Sequence, residues 1–453
     1  MLHQPLNVFH GNSVSLAELL GAFSYALDIT QGQPAGHCVR ACWIGSRMGA
    51  ALGLSAKERH DLYYTLLLKD LGCSSNAARI CELYEADDRA FKQGYKTVGT
   101  SLAASLHFVV SRTARGASVG RRAAAVGKVL RNADAIARNL ILSRCTRGAD
   151  IARMLRFSDA VCDGIYGLDE HWDGSGQPER LKGHAIPLFS RIALLAQIAD
   201  VFHTHAGRQA AIDEVARRAG SWLDPELAGL FSSLGADDRF WDILASPHVD
   251  AHVVKLAPPE EARPVDDDYL DAIAAAFGAV VDAKSPFSAG HSARVADLAD
   301  RIAALLGMSP ARRRWLRRGA LLHDVGKLGV SNTILDKPAS LDADEWGEMR
   351  NHAVHTREIL GRIGALTDLA PVAAAHHERL DGTGYPLGLA DAQIALETRI
   401  ITVCDFYDAL TADRPYRAAL GQAEALSIMR AEVGSAIDAD CFAALETIVR
   451  GNG

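Results

Sequence analysis

One feature constrains the fold of this chain more than any other: it repeats itself. Gly36-His37-Cys38-Val39-Arg40 is followed by Leu67-Leu68-Lys69-Asp70-Leu71-Gly72, and Gly290-His291-Ser292-Ala293-Arg294 by Leu321-Leu322-His323-Asp324-Val325-Gly326. The spacing agrees, since 69 − 37 and 323 − 291 are both 32. A second block repeats as well. Asp169-Glu170-His171-Trp172-Asp173-Gly174-Ser175-Gly176-Gln177-Pro178 echoes His377-Glu378-Arg379-Leu380-Asp381-Gly382-Thr383-Gly384-Tyr385-Pro386. The chain therefore holds two copies of one unit. The first carries 46 extra residues, because Asp70 to Asp173 spans 103 and Asp324 to Asp381 spans 57.

Each unit reads as helical. Leu298, Ile302, Leu305 and Leu306 recur at helical spacing, while Arg294, Asp297, Asp300 and Arg301 fall largely on the other side. Strand-like alternation is scarce, and Gly and Pro clusters separate helical stretches, so the expected fold class is all-α with two tandem helical domains. Residues 246–268, with Ser246-Pro247, Pro258-Pro259-Glu260-Glu261, Pro264 and Asp266-Asp267-Asp268, read as a linker between domains at 1–245 and 269–453. A composition of 49% hydrophobic and 23% charged residues is that of a globular protein. The net charge of −7 argues against binding DNA or RNA. No window reaches 18 consecutive apolar residues, and Met1-Leu2-His3-Gln4-Pro5 lacks the pattern of a signal peptide. The expected location is the cytoplasm, with no membrane partner. The eight cysteines form no C-x-x-C pair, which disfavours a disulfide framework or a zinc ribbon.

Chemistry concentrates in the second copy. His291, His323, Asp324, His352, His376, His377 and Asp405 are all competent metal ligands set in or beside apolar helical text. Five imidazoles and two carboxylates exceed the four to six ligands that satisfy one ion, so two ions suit the set better. The adjacent pair His376-His377 diverges by about 100° on a helix, which favours serving two neighbouring ions over chelating one. Two such ions activate water and neutralise charge on a phosphoryl centre. Lys327 lies just beyond as a point charge for a phosphate, while Arg414 and Arg417 read equally as forked phosphate donors or as a solvated helix end. Glu378 and Asp408 are candidates to orient the ligand histidines.

The set G-H-S-x-R-V at 290–295, H-D-x-G-K at 323–327, H-H-E-x-x-D-G-x-G-Y-P at 376–386 and D-x-x-D-A-L-T at 405–411 resembles the HD-GYP family. That group, within the HD superfamily of metal-dependent phosphohydrolases, hydrolyses cyclic di-GMP in bacteria. The resemblance covers roughly 270–440. It implies an α-helical domain with a binuclear or trinuclear iron or manganese centre, whose ligands map onto the seven residues above. It further implies catalytic roles for Asp324 and Lys327, with Lys327 on the scissile phosphate. Arg414 and Arg417 would hold the phosphates, and Tyr385 would shape the nucleotide pocket. Trinuclear members carry a glutamate four residues before the first histidine; here that position is Phe287, so two divalent ions, Fe or Mn, are expected. The implied activity is hydrolysis of cyclic di-GMP to linear pGpG and onward to GMP. The alternatives are 3′,3′-cyclic GMP-AMP as substrate, or a signalling module that binds without turnover.

The first copy keeps His37 and Asp70, and Asp200 reads as the counterpart of Asp405 after a loop three residues longer. Lys69 replaces His323, Cys73 replaces Lys327, Leu168-Asp169 replace His376-His377, and Arg144 replaces His352. A leucine cannot ligate and two cations repel a metal, so this copy reads as a pseudoenzyme in which Lys69 and Arg144 pair with Asp70 and Asp200. Residues 111–156 hold ten arginines and Lys128 against Asp134 and Asp150, a balance of +9. That excess fits solvated helix faces, or a regulatory anionic ligand or protein partner on this copy. Apolar faces on tandem helical units also lead to the expectation of a homodimer.

Overall fold

The computed structural model describes residues 15–99, 102–257 and 265–451. Helices and short 3₁₀ turns make up its regular structure, with isolated bridges and no β-strand among the described residues. The all-α expectation holds. No helix among them is long and apolar enough to cross a membrane.

The repeated motifs open equivalent helices. Helices His37–Ala51 and His291–Leu305 each follow a glycine in the left-handed region, Gly36 at φ 86° and Gly290 at φ 70°, which lets the chain turn sharply and places a histidine at the first helical position. Neither glycine can cap. The free N–H groups are met from the preceding helix instead: the carboxylate of Asp28 accepts from Cys38 N at 2.9 Å, and that of Asp282 from Ser292 N at 3.3 Å. Helices Ala56–Leu68 and Pro310–Leu322 come next, opened by a Ser55–Glu58 capping box and by Ser309 with Pro310. Both end at the buried residues Lys69 and His323.

The two copies share one continuous core. Phe23, on helix Leu16–Thr30, stacks on Phe277, on helix Asp267–Asp282, with ring centroids 3.7 Å apart and planes at 16°. These are equivalent positions in the repeat, since 277 − 23 and 291 − 37 are both 254. The copies thus meet through like helices about a local two-fold. Helix Leu16–Thr30 packs on the Val325–Gly329 turn and on helix Ala343–Gly361, while helix Asp267–Asp282 packs on helix Ala133–Met154. Stacking at a fully buried pair contributes about 0.5–1.5 kcal/mol beyond its buried area.

One expectation needs correction and one holds. The stretch read as a linker is not free chain throughout: helix Val249–Val254 buries Val249 and Val253 against the first copy, and helix Asp267–Asp282 already starts within the span. Residues 258–264 lie outside the described residues. The arginine-rich segment is largely solvated, as expected, with Arg115, Arg121, Lys128, Arg131, Arg138, Arg153 and Arg156 exposed, and several of its arginines also have partners within the chain. Arg144 pairs with Asp169, Arg121 with Glu85 and Arg153 with Asp150; Arg122 and Arg147 donate to the carbonyls of Val110 and Ala279; Arg112 and Arg156 lie over Phe108 and Tyr269. The insert builds a small core of its own from Ile80, Leu83, Tyr84, Phe91, Phe108, Val129 and Ile136.

Candidate metal centre

The structure brings all seven candidate ligands together. Their donor atoms fall into three overlapping triads, each within 4.8 Å: His291, His323 and Asp324; His323, His376 and Asp405; His352, His376 and His377. Asp324 stands between the groups. Its Oδ2 lies 3.4 Å from the Nε2 atoms of both His291 and His323, and its Oδ1 lies 3.7 Å from His352 Nε2 and 3.6 Å from His376 Nε2. Asp405 Oδ1 adds a second carboxylate 3.5 Å from His291 Nε2. Asp324 Oδ1 is buried without a hydrogen-bond partner, an expensive state that a bound cation would relieve.

The histidines are oriented by the backbone. His323, His352 and His376 each place Nδ1 on the carbonyl three residues earlier, Ala320, Met349 and Ala373, at 2.7, 2.6 and 2.6 Å. His291 Nδ1 meets Asp408 Oδ2 at 2.7 Å. These contacts fix each ring with Nε2 facing the centre, the orientation ligating imidazoles need. Burial pushes His352 down to about 3, and burial with the neighbouring His376 holds His377 well below its ordinary value, so both rings are neutral. His291 differs: burial works against its charge, but Asp324, Asp408 and Asp405 raise it to about 9. Burial also opposes charge on Asp324, yet Lys327 and His323 keep it well below the usual carboxylate range. The donor set, imidazole nitrogens around an ionised carboxylate that faces both groups, fits divalent metal, whose binding at His291 would displace a proton.

Gly326 sets the spacing. A Cβ there would overlap the carbonyl oxygen of His352 and stand 2.6 Å from Thr356 N, while Thr356 Oγ1 accepts from Gly326 N at 3.0 Å and donates to the His323 carbonyl at 2.9 Å. Gly72 meets Arg144 and Gly148 in the same way in the first copy. Gly326→Ala is expected to cost about 1–3 kcal/mol in a denaturant melt and to lower bound metal, because backbone rather than a mobile side chain must yield.

The other candidates divide. Lys327 Nζ reaches Asp324 Oδ2 at 2.5 Å. His291, Asp324, Lys327 and Arg414 line a cavity of about 550 Å³ whose walls include Phe287, Trp346 and Tyr416. Tyr385 lies over His377, with ring centroids 4.8 Å apart. Arg417 does not face this cavity. Its guanidinium donates to the carbonyls of Ala409, Leu410 and Ala418 at 2.8, 3.0 and 2.8 Å, capping helix Leu396–Thr411, whose last carbonyls lack helical partners. Glu378 does not orient a ligand either: it accepts Leu387 N and Leu389 N at 2.6 and 2.8 Å and holds the Gly-Tyr-Pro loop. Trp346 and Tyr416 were missed by sequence reasoning, although Trp346 lies six residues before His352 on one helix and Tyr416 lies between the two arginines.

The equivalent place in the first copy is filled by side chains. Lys69 Nζ lies 3.0 Å from His37 Nε2 and contacts the carboxylate of Asp70, with Cys73 Sγ 3.3 Å from Asp70 Oδ1. The expected partners of Asp200 and Arg144 are corrected. Asp200 binds His37 Nδ1 and Arg40 Nε, both at 2.6 Å, as Asp408 binds His291 and Arg294. It is therefore the counterpart of Asp408 with no longer loop; Gln197 occupies the place of Asp405, and Lys96 Nζ reaches its Oε1 at 3.4 Å. Arg144 pairs with Asp169, which replaces His377.

The HD domain family model matches residues 131–227 and 277–441, parts of both copies. A 3′3′-cGAMP-specific phosphodiesterase of Vibrio cholerae is 53% identical over 435 residues, 96% of this chain and 95% of its own length. The chain belongs to the HD-GYP family. Members of this family are metal-dependent phosphodiesterases. The crystal structure of a cyclic GMP-AMP-specific phosphodiesterase of V. cholerae superposes with a TM-score of 0.65 at 47% identity, covering 97% of this HD-GYP chain and 98% of that one. A cyclic di-GMP phosphodiesterase of Pseudomonas aeruginosa is 41% identical over 157 residues, 34% of this chain and 37% of its own length.

Proposed function

We propose that this HD-GYP protein hydrolyses 3′,3′-cyclic GMP-AMP to a linear dinucleotide, using two divalent ions held by the second copy. Relatedness along almost the whole chain to a phosphodiesterase named for that substrate carries the reading, whereas the P. aeruginosa cyclic di-GMP enzyme aligns over a third of the chain. Cyclic GMP-AMP therefore replaces cyclic di-GMP as the primary expectation.

In this reading His291, His323 and Asp405 would hold one ion and His352, His376 and His377 the other, with Asp324, whose two oxygens each face one group, contributing to both. Bound metal supplies an activated water and charge neutralisation at phosphorus. The protein's part is positional. Lys327 and Arg414 present fixed positive charge at the cavity wall for the non-bridging oxygens, and Trp346 and Tyr416 offer aromatic faces on which bases stack. The first copy acts as a degenerate HD unit: the Lys69 ammonium already sits between His37 and Asp70, and a cation there excludes another.

Turnover of both cyclic dinucleotides is measured anaerobically with Fe²⁺ and with Mn²⁺. A kcat/KM at least about tenfold higher for cyclic GMP-AMP is expected, worth about 1.4 kcal/mol of discrimination. Equal or reversed preference returns the assignment to cyclic di-GMP, and absence of turnover of either leaves a binding module.

A further inference from the structure

The turn that carries Lys327 is not supported by its own copy alone. Helix Leu16–Thr30 of the first copy packs beneath it, so closely that a Cβ on Gly329 would stand 3.2 Å from Ile29 Cγ2. The insert, which the second copy lacks, adds polar grips. Asp88, fully buried, accepts the N–H of Asn332 at 3.0 Å, and Arg89 donates to the carbonyl of Gly329. Within the second copy the same spot is cross-tied. Asn332 Nδ2 donates to the carbonyl of Lys284 at 2.8 Å, and Lys284 Nζ donates to the carbonyl of Leu328 at 3.0 Å. Lys92 joins Asp88 at 3.4 Å to the carbonyl of Cys73 at 2.8 Å, which stands where Lys327 does. A continuous buried polar chain thus runs from the first copy's HD-like segment to the second copy's HD segment. Burial opposes charge on Asp88, but Lys284 and Lys92 lower its pKa and keep it an acceptor.

We infer that Asp88 and Arg89 are positioning residues of the first copy that hold the Leu328–Asn332 backbone so that Lys327 stands correctly at the metal centre. The inference rests on the phosphodiesterase reading of that centre. It gives the insert a role, in that a copy contributing no ligand fixes the charge that faces the phosphate. Displacement of a catalytic group by about 1 Å costs up to about 10²-fold in rate, so loss of one grip lowers kcat without touching the ligands.

Full-length Asp88→Ala, Asp88→Asn and Arg89→Ala are assayed on bis(p-nitrophenyl) phosphate and on cyclic GMP-AMP, with metal content measured in parallel. Expected are a roughly tenfold fall in kcat for Asp88→Ala and a roughly threefold fall for Arg89→Ala, with metal content unchanged and KM within about twofold. Asp88→Asn, whose amide oxygen still accepts from Asn332, is expected to restore most of the loss. In a Lys327→Ala background neither change is expected to lower kcat further. Wild-type kcat in both alanine variants, a fall that tracks metal loss, or full additivity with Lys327→Ala overturns the inference. Should Asp88→Ala fail to fold, Arg89→Ala decides, since that side chain is 32% exposed. A wild type inert on both substrates refutes the phosphodiesterase reading itself; one active on the simple diester alone refutes only the dinucleotide assignment.

Discussion

Asp324→Ala is expected to lower kcat by at least about 10³-fold and to bring bound metal from two ions per chain to fewer than one. Among the described residues, Asp324 alone places separate oxygens against both histidine groups, Oδ2 at 3.4 Å from His291 and His323 and Oδ1 within 3.7 Å of His352 and His376. Removing one terminal histidine weakens one ion; removing the bridge weakens both. In metal-free protein the ionised Asp324 faces Lys327 and His291, so its loss leaves both without their counter-charge and is expected to lower the melting temperature of the metal-free protein as well. Circular dichroism at a temperature well below that transition separates loss of chemistry from loss of structure. Plasma emission on metal-replete wild type supplies the count. A reproducible third ion would contradict the reading of Phe287, which offers no donor beside His291 on the cavity wall.

How far sequence led can be seen from particular residues. The cluster of candidate ligands was legible because each is a chemically distinctive side chain and the repeat supplied a copy in which most are replaced. The helical fold was legible because periodicity and caps agree, as at Ser55 and Glu58. The partners of Asp200 were not. Aligning it with Asp405 needed an extra loop, whereas its bonds to His37 and Arg40 match those of Asp408 to His291 and Arg294, and the gapless alignment carries Gln197 onto Asp405. Arg417 illustrates a second limit. An arginine near a helix end has two uses, phosphate binding and capping, and only the direction of its guanidinium distinguishes them. Asp88 illustrates a third: nothing local marks an acidic residue in an insert as the acceptor for a backbone N–H 244 residues away.

Lys69→Ala is expected to destabilise the protein by about 3–5 kcal/mol near neutral pH, because it strands Asp70 as an uncompensated buried charge. Both side chains are fully buried, and the ammonium also contacts His37 Nε2. Burial opposes charge on each partner, yet their attraction wins: it raises the pKa of Lys69 and holds Asp70 well below its ordinary 3.8. The pH dependence follows from those directions. In wild type the depressed Asp70 contributes stability above the unfolded carboxylate value, and that contribution is lost only as pH falls through the lower folded value. In the variant the largest opposing charge is gone and burial is countered only by Lys96 and His37, so Asp70 is raised relative to wild type and its penalty is relieved as pH falls. The difference between the two proteins is therefore expected to be greatest near neutral pH and to shrink on acidification, as measured by denaturant melts across that range. Lys69→Met with Asp70→Leu tests the same point from the other side, since replacing both charges with apolar groups is expected to recover most of the loss. A single Lys69→Ala change costing under about 1 kcal/mol at neutral pH would show that the ammonium is not what balances Asp70, and would overturn the proposal that Lys69 keeps metal from this copy.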